Sequence, residues 1–387
     1  MLSYRDRHVE TEHQTEQVEK EVMERVQTMS EDMEDQQAAF AGCMVDHAQT
    51  AMEEVQQAHQ STVREQSHGD ILQDYNSLNA DQKRIVDRVV HSVCDSNAPV
   101  HLIVSGQGGT GKSRVTELLN HMVSSKFNDH ISVVVSAPTG LSAFNVSGTT
   151  IHRLLSLPVE HGKPADYNRL NQETLNIIRK TLSNLKLLII DEVSMVSSLI
   201  LLFIHLWLTE IMSNPQLFGG VSVVLFADFM QLPPVKGNQP FVPVTHLEAK
   251  QRIRSTAGLD LWNSFEYDEL TINMRQSGDV RWASLLSNVR VGSLSAEDEE
   301  LLRQRFISPD RPATVTDICN KYNQLEAEGM SPIILLPRTS QCSEINNAML
   351  NQMAHETYNL PAIDTLDTIV NAQMLPKVKK SIHECAR

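Results

Sequence analysis

The stretch His101-Leu102-Ile103-Val104-Ser105-Gly106-Gln107-Gly108-Gly109-Thr110-Gly111-Lys112-Ser113 decides the fold. Its first four residues form an apolar, β-rich run, and Gly106 to Ser113 matches G-x-x-x-x-G-K-S, the pattern of a strand that turns through a glycine loop into a helix. Glycines let the backbone curl until successive N–H groups face one point, and the helix N-terminus adds its positive dipole end there, so the loop is built to hold phosphate. Gly106, Gly108, Gly109, Thr110, Gly111, Lys112 and Ser113 are therefore the expected ATP cradle. Lys112 is expected to reach the β- and γ-phosphates, and the Ser113 hydroxyl to ligate Mg²⁺.

The same grammar continues downstream. Apolar runs at Ile131 to Ser136, Leu187 to Ile190 and Val221 to Phe226 alternate with longer helical patterns, the signature of β–α units in a parallel sheet covered by helices on both faces. Leu187-Leu188-Ile189-Ile190 ends in Asp191-Glu192. Two carboxylates there would suit a helix cap, but behind a phosphate loop they are the pair a hydrolase needs. Asp191 is expected to hold magnesium through its water shell, and Glu192 to orient and deprotonate the attacking water. The third run leads into Ala227-Asp228-Phe229-Met230-Gln231-Leu232-Pro233-Pro234-Val235. Gln231 is expected to hydrogen-bond the γ-phosphate or the lytic water and so to distinguish ATP from ADP. The two prolines force an extended exit. A further strand-like run, Ile333 to Leu336, followed by the helical Ser343 to Met353, predicts a second α/β unit after about residue 270.

The 387 residues carry a net charge of −15, which is unevenly spread. Residues 1–70 hold sixteen Asp/Glu against five Lys/Arg, leaving −4 for the remainder, so the catalytic region is near neutral and bulk acidity does not exclude a nucleic-acid partner. Residues 1–72 read as an acidic helical or disordered extension, with a helical segment at Val18 to Met29 and apolar residues too sparse for a core. No stretch is apolar enough for a membrane span or a signal peptide, which makes a reducing intracellular compartment the expectation. Cys43, Cys94, Cys319, Cys342 and Cys385 show no metal-ligand spacing, and neither do the fifteen histidines.

Six blocks in order resemble the Pif family of superfamily-one, subfamily-B helicases. They are Leu78-Asn79-Ala80-Asp81-Gln82, the Gly106 to Ser113 loop, Ala137-Pro138-Thr139-Gly140 with Gly148-Thr149-Thr150-Ile151-His152, Asp191-Glu192-Val193-Ser194-Met195, Asp228-Phe229-Met230-Gln231-Leu232-Pro233-Pro234, and Asn273-Met274-Arg275-Gln276-Ser277-Gly278-Asp279 continuing through Leu285 to Gly292. The resemblance covers roughly residues 78–350. It implies a RecA-like first motor domain over 73–269 and an incomplete second RecA-like domain over 270–387. It further implies that Gln82 contacts adenine and that Arg275 is an arginine finger supplied from the second domain, where a guanidinium stabilises charge on the transferring phosphoryl group. Pro138, Thr139, Gly140, Thr150 and His152 are implied contacts to single-stranded DNA. His152 or Phe229 would stack on a base or else pack inside the domain. The implied activity is 5′ to 3′ translocation on single-stranded DNA with unwinding of duplexes and junctions, in repair, recombination or telomere maintenance, in the nucleus or the mitochondrion.

Two departures stand out. Ala227 occupies a position where the family usually has Gly, and the chain ends at Arg387 without a Ser/Thr-x-His-Lys-Ser-Gln-Gly-like segment. The expectation is a fragment, a truncated gene model or a decayed copy, with a rolling-circle transposon origin compatible with the resemblance. Two rivals stay open: a non-catalytic ATP-binding remnant, and a P-loop nucleotide kinase, which needs neither Glu192 beside Asp191 nor the Gln231-Leu232-Pro233-Pro234 exit.

Overall fold

Six strands form one all-parallel sheet: β1 (His101–Gly106), β2 (Val133–Ala137), β3 (Thr149–Thr150), β4 (Leu187–Ile190), β5 (Ser222–Ala227) and β6 (Glu266–Leu270), in the order β3-β2-β4-β5-β1-β6. The computed structural model describes residues 45–46, 48–57, 68–96, 98–127, 131–155, 167, 169–235, 237–253, 260–276, 278–308 and 310–352. The helices are α1 (48–57), α2 (His68–Asn76), α3 (Ala80–Val90), α4 (Lys112–Phe127), α5 (Gly140–Asn145), α6 (Ile151–Leu154), α7 (Gln172–Leu182), α8 (Ser198–Met212), α9 (His246–Arg252), α10 (Val280–Val291), α11 (Ala296–Arg303), α12 (Val315–Ala327) and α13 (Thr339–Gln352). None of the described helices is long and apolar enough to cross a membrane.

Strand alternation builds two cores, one on each sheet face. Leu188, Ile190, Val223 and Leu225 face one, filled by Phe203, Ile204, Trp207 and Leu208 of α8 with Ile178 and Leu182 of α7. Leu187, Ile189, Val224 and Phe226 face the other, filled by Ile85, Val86 and Val89 of α3 with Leu118, Leu119 and Val123 of α4. Because both faces are covered, the strands read as unbroken apolar runs, and β1, β2, β4 and β5 stand where the sequence predicts them.

Two parts of this unit differ from the sequence reading. In α1, Ala48, Ala51, Met52 and Val55 are at most 6% exposed and join the α8-side core, while Glu54 pairs with Arg153 of α6 at 2.9 Å. The spacing i, i+3, i+4, i+7 is a helix face. Two alanines let that face approach closely, so four modest side chains suffice where the composition had suggested a solvated extension. The expected helix at Val18 to Met29, with Cys43 and Cys385, lies outside the described residues. Met52→Ala is expected to destabilise the fold by about 2 kcal/mol in a urea melt, near the low end for a buried Met truncation; an unchanged midpoint would detach α1 from the core.

The second difference is β6, Glu266-Tyr267-Asp268-Glu269-Leu270, which carries too many acids to be predicted as a strand. It is an edge strand, and charge there guards against further pairing. Arg84 of α3 holds Asp268 at 2.8 Å, and Arg88 holds Glu266. Asp81, accepting from the Thr271 backbone and hydroxyl and from Arg84, has its pKa lowered to about 2.

The chain divides into two units, Met1–Ser293 and Leu294–Arg387, so the first continues past the boundary anticipated at residue 270. The second unit holds α11, α12 and α13. Ser295 and Thr314 start α11 and α12 with reciprocal capping boxes, and Cys319 and Ile345 are its buried apolar residues. Its described residues contain no strand. Ile333 to Leu336 is unpaired chain with Ile333 and Leu335 exposed, because an apolar run without a neighbouring strand has no ladder to join.

Candidate active site

Parallel strands end at one edge of the sheet, and the order β4-β5-β1 brings three loops together there. The glycine loop leaves β1, Asp191-Glu192 leaves β4, and Ala227-Asp228 leaves β5 between them. In the loop, Gly109 and Gly111 have φ of +91° and +85°. A Cβ on Gly111 would come within 2.3 Å of Gln82 Nε2, so only glycine fits. Lys112 is buried at the start of α4 and donates from Nζ to the Gly106 carbonyl at 2.7 Å. Ser113 is exposed.

Gln82 is 2% exposed, with both ends of its amide engaged. Its Oε1 accepts from Asn79 N–H at 3.1 Å, completing the capping box of α3, and its Nε2 donates to the Thr110 carbonyl at 3.0 Å. Gln82 is thus a strut beneath the loop, a role the motif alone did not indicate.

Asp191 is 6% exposed, and its Oδ1 accepts from the Glu192 N–H at 2.9 Å. Burial raises its pKa, offset in part by that hydrogen bond and by Lys112. Glu192 takes the left-handed conformation, φ 53° and ψ 42°, which is strained for a residue with a Cβ. Its pKa is raised by burial first and then by the charge of Asp191, with Lys112 opposing. A carboxylate held near a buried partner in this way is a suitable proton acceptor.

Asp228 is 1% exposed and accepts from the Gln231 side chain at 3.1 Å and from Arg290 of α10 at 2.7 Å. Burial pushes its pKa up, but the hydrogen bonds from Arg290 and Gln231 outweigh this and bring it below the ordinary value.

Beyond β6 the chain emerges beside β1, so residues 273–276 lie on the glycine loop. Met274 N–H donates to the Gly109 carbonyl at 2.8 Å, and Asn273 Nδ2 to the Gly108 carbonyl at 3.3 Å. Asn273 Oδ1 accepts from the N–H groups of Arg275 and Gln276, fixing the turn. Arg275, expected from the second domain, therefore stands in the first unit with the loop itself. It is exposed, and its guanidinium has no partner among the described residues. The motif assigns Asn273 no role; one sequence-distant partner, the Gly108 carbonyl, and two local ones, the Arg275 and Gln276 N–H groups, give it one.

The register Ser136↔Thr149 and Ala137↔Thr150 sets Pro138-Thr139-Gly140 beside Thr150-Ile151-His152. Both threonine hydroxyls are N-caps: Thr139 accepts from Ser142 N–H at 3.2 Å and Thr150 from Arg153 N–H at 3.3 Å. His152 is half-buried, and burial lowers its pKa. Phe229 stands apart from these blocks, after β5. Its ring packs edge-on against Phe241 and Trp262, with centroids at 5.8 and 5.5 Å, which is a packing role.

Residues 77–300, well over half the chain, match the model of the PIF1-like helicase family. The chain belongs to the PIF1-like helicase family. It is 28% identical over 274 residues to the ATP-dependent DNA helicase PIF1 of Candida albicans, an alignment covering 69% of this chain and 27% of that one. With the ATP-dependent DNA helicase RRM3 of Saccharomyces cerevisiae it shares 28% over 216 residues, 52% of this chain and 29% of that one. The chain thus spans less than a third of the length of these two relatives. The crystal structure of Pif1 helicase from Candida albicans has the same fold, with a TM-score of 0.57 at 24% identity over 78% of this chain and 60% of that one.

In this PIF1-like chain the family match takes in every candidate nucleotide-site residue from Gln82 to Arg275. The oxygen donors fit magnesium, which binds through one or two protein oxygens plus phosphates and water. Asp191 is a buried carboxylate whose second oxygen has no protein partner among the described residues, and Ser113 offers an exposed hydroxyl at the loop.

Proposed function

We propose that the chain is the ATP-hydrolysing part of a DNA helicase that moves along single-stranded DNA. The observation that carries this reading is the left-handed Glu192 beside buried Asp191, at the sheet edge shared with the glycine loop and the Asp228–Gln231 turn. A protein that only held nucleotide would need the loop but not a strained second carboxylate. Lys112 leaves the Gly106 carbonyl for the β- and γ-phosphates, Glu192 takes the proton of the attacking water, and Gln231 orients that water. Arg275, seated on the loop by Asn273, offsets charge on the transferring phosphoryl group. Ser113 and Asp191 would hold magnesium, which when bound would supply neutralisation of charge on the phosphate oxygens.

Single-stranded DNA runs over the adjoining Pro138 to Gly140 and Thr150 to His152 loops, with 5′ to 3′ polarity inherited from the resemblance. That PIF1 of Candida albicans and RRM3 of Saccharomyces cerevisiae are ATP-dependent DNA helicases supports action on DNA; the role at junctions in genome maintenance, in the nucleus or the mitochondrion, is carried by the family resemblance alone. The test is ATP hydrolysis by the chain with and without single-stranded DNA, beside Lys112→Ala. DNA-stimulated turnover is expected, with a fall of about 10²- to 10³-fold in the variant, the size of losing one preorganised donor to the reacting group. Mg-ATP binding without any turnover in the unaltered chain would sink the proposal.

A further inference from the structure

We infer that Arg290 is a positioning residue of the hydrolytic site: through Asp228 it holds Gln231 with its amide nitrogen turned inward and its carbonyl oxygen left as the outward acceptor. The inference rests on the ATPase reading above and deepens it.

The geometry is a hub around one carboxylate. Asp228 Oδ1 accepts from Arg290 Nη2 at 2.7 Å, from Arg290 Nε at 3.2 Å and from Met230 N–H at 3.2 Å, and its Oδ2 accepts from Gln231 Nε2 at 3.1 Å. The Asp228 carbonyl also accepts from Gln231 N–H at 2.9 Å. An ionised carboxylate has no proton to give, so Gln231 must present its NH₂ group to it, which fixes the amide orientation. The remaining Oε1 suits the O–H of a water and repels a phosphate oxygen. The lytic water is the partner this outward acceptor fits, the second N–H of the same nitrogen being held on the Asp228 side of the amide.

Arg290 is what keeps Asp228 ionised at 1% exposure, since a buried carboxylate without a cation would take up a proton. A protonated Asp228 could donate, and the orientation of Gln231 would no longer be fixed. The helix that carries Arg290 is itself located twice. One turn earlier on the same face, Ser287 exchanges hydrogen bonds with Gln107 of the glycine loop at 3.2 and 3.4 Å. Leu285 is fully buried, and Gly292 closes the helix in the left-handed conformation. One face of α10 therefore touches both the glycine loop and the turn that holds Gln231.

The experiment uses the full chain and reads kcat, KM for ATP and the melting midpoint of five variants: Arg290→Met, Arg290→Lys, Gln231→Ala, and the doubles Gln231→Ala/Arg290→Met and Asp228→Asn/Arg290→Met. Arg290→Met should lower kcat ~10- to 100-fold, the scale of a displaced positioning group, with KM changed far less. Arg290→Lys should fall between, since lysine supplies charge without the two-nitrogen fork. Gln231→Ala/Arg290→Met should be no slower than the worse single variant, because both act through one group. Asp228→Asn/Arg290→Met should regain the melting midpoint, because a buried amide needs neither a counter-ion nor an added proton, while kcat stays low. Recovery of kcat together with stability would reduce Arg290 to a counter-ion and overturn the inference, as would multiplying effects in the Gln231 double. An unaltered chain that hydrolyses normally alongside an equally fast Arg290→Met overturns this inference alone. An unaltered chain without turnover overturns the ATPase reading and takes this inference with it.

Discussion

Glu192→Gln is expected to reduce ATP turnover by about 10²- to 10⁴-fold, the range that a positioned general base contributes, while Mg-ATP still binds. The substitution keeps the size and hydrogen-bonding reach of the side chain and removes only its capacity to take a proton. Its backbone conformation, φ 53°, does not depend on the carboxylate, since the hydrogen bond that anchors the turn runs from the Glu192 N–H to Asp191 Oδ1. The fold and the nucleotide site should therefore survive. Removing one negative charge from beside Asp191 also lessens repulsion of the triphosphate, so affinity should hold or rise. Phosphate release under saturating ATP, set beside nucleotide binding measured by fluorescence, separates the two effects. Turnover within a factor of a few of the unaltered chain would remove Glu192 from the chemistry, and lost binding would make it part of the cradle.

What the sequence made legible, and what it hid, follows one physical line. β1, β2, β4 and β5 are covered on both faces, so their burial is written as unbroken apolar runs that also place the loops following them. β6 satisfies its backbone at an edge and carries acids that pair with Arg84 and Arg88, so nothing in Glu266-Tyr267-Asp268-Glu269-Leu270 announces a strand. In α1 two of the four buried residues are alanine, so the buried face adds few large apolar side chains to the composition. Ile333 to Leu336 erred the other way: strand-like by itself, it lacks the partner that makes a strand.

The same divide runs through the site. Lys112, Asp191 and Glu192 belong to local patterns whose chemistry is contained in a few adjacent residues. Gln82, Asn273 and Arg290 act across 28, 165 and 62 residues of chain, and no local pattern reports what a side chain touches at that separation. The resemblance assigned Arg275 to a second domain beginning at residue 270, whereas Arg275 lies in the first unit, Met1–Ser293. It could not show that β6 lies next to β1 and so delivers the following residues onto the glycine loop.

That placement sets the second large effect. Arg275→Ala is expected to lower kcat about 10³-fold or more, as removal of an arginine finger does, with Mg-ATP affinity falling far less. The argument is geometric. Gly109 has no side chain, and a Cβ there would sit 2.8 Å from both Arg275 Cβ and Asn273 Oδ1, so the segment is pressed against the phosphate loop. Met274 and Asn273 pin it to the Gly109 and Gly108 carbonyls, while the guanidinium makes no ion pair among the described residues and is spared the cost of leaving one. A cation supplied this way stabilises charge that develops only as the phosphoryl group transfers, which is why kcat should suffer more than affinity. Arg275→Lys should recover little, because an ammonium is a point charge without the planar fork that meets two oxygens. Asn273→Ala should reproduce part of the loss by freeing the turn that aims the arginine. If Arg275→Ala instead weakens binding and leaves kcat intact, Arg275 belongs to the ground-state cradle; if neither parameter moves, it is a surface charge and the hydrolytic cation must come from elsewhere.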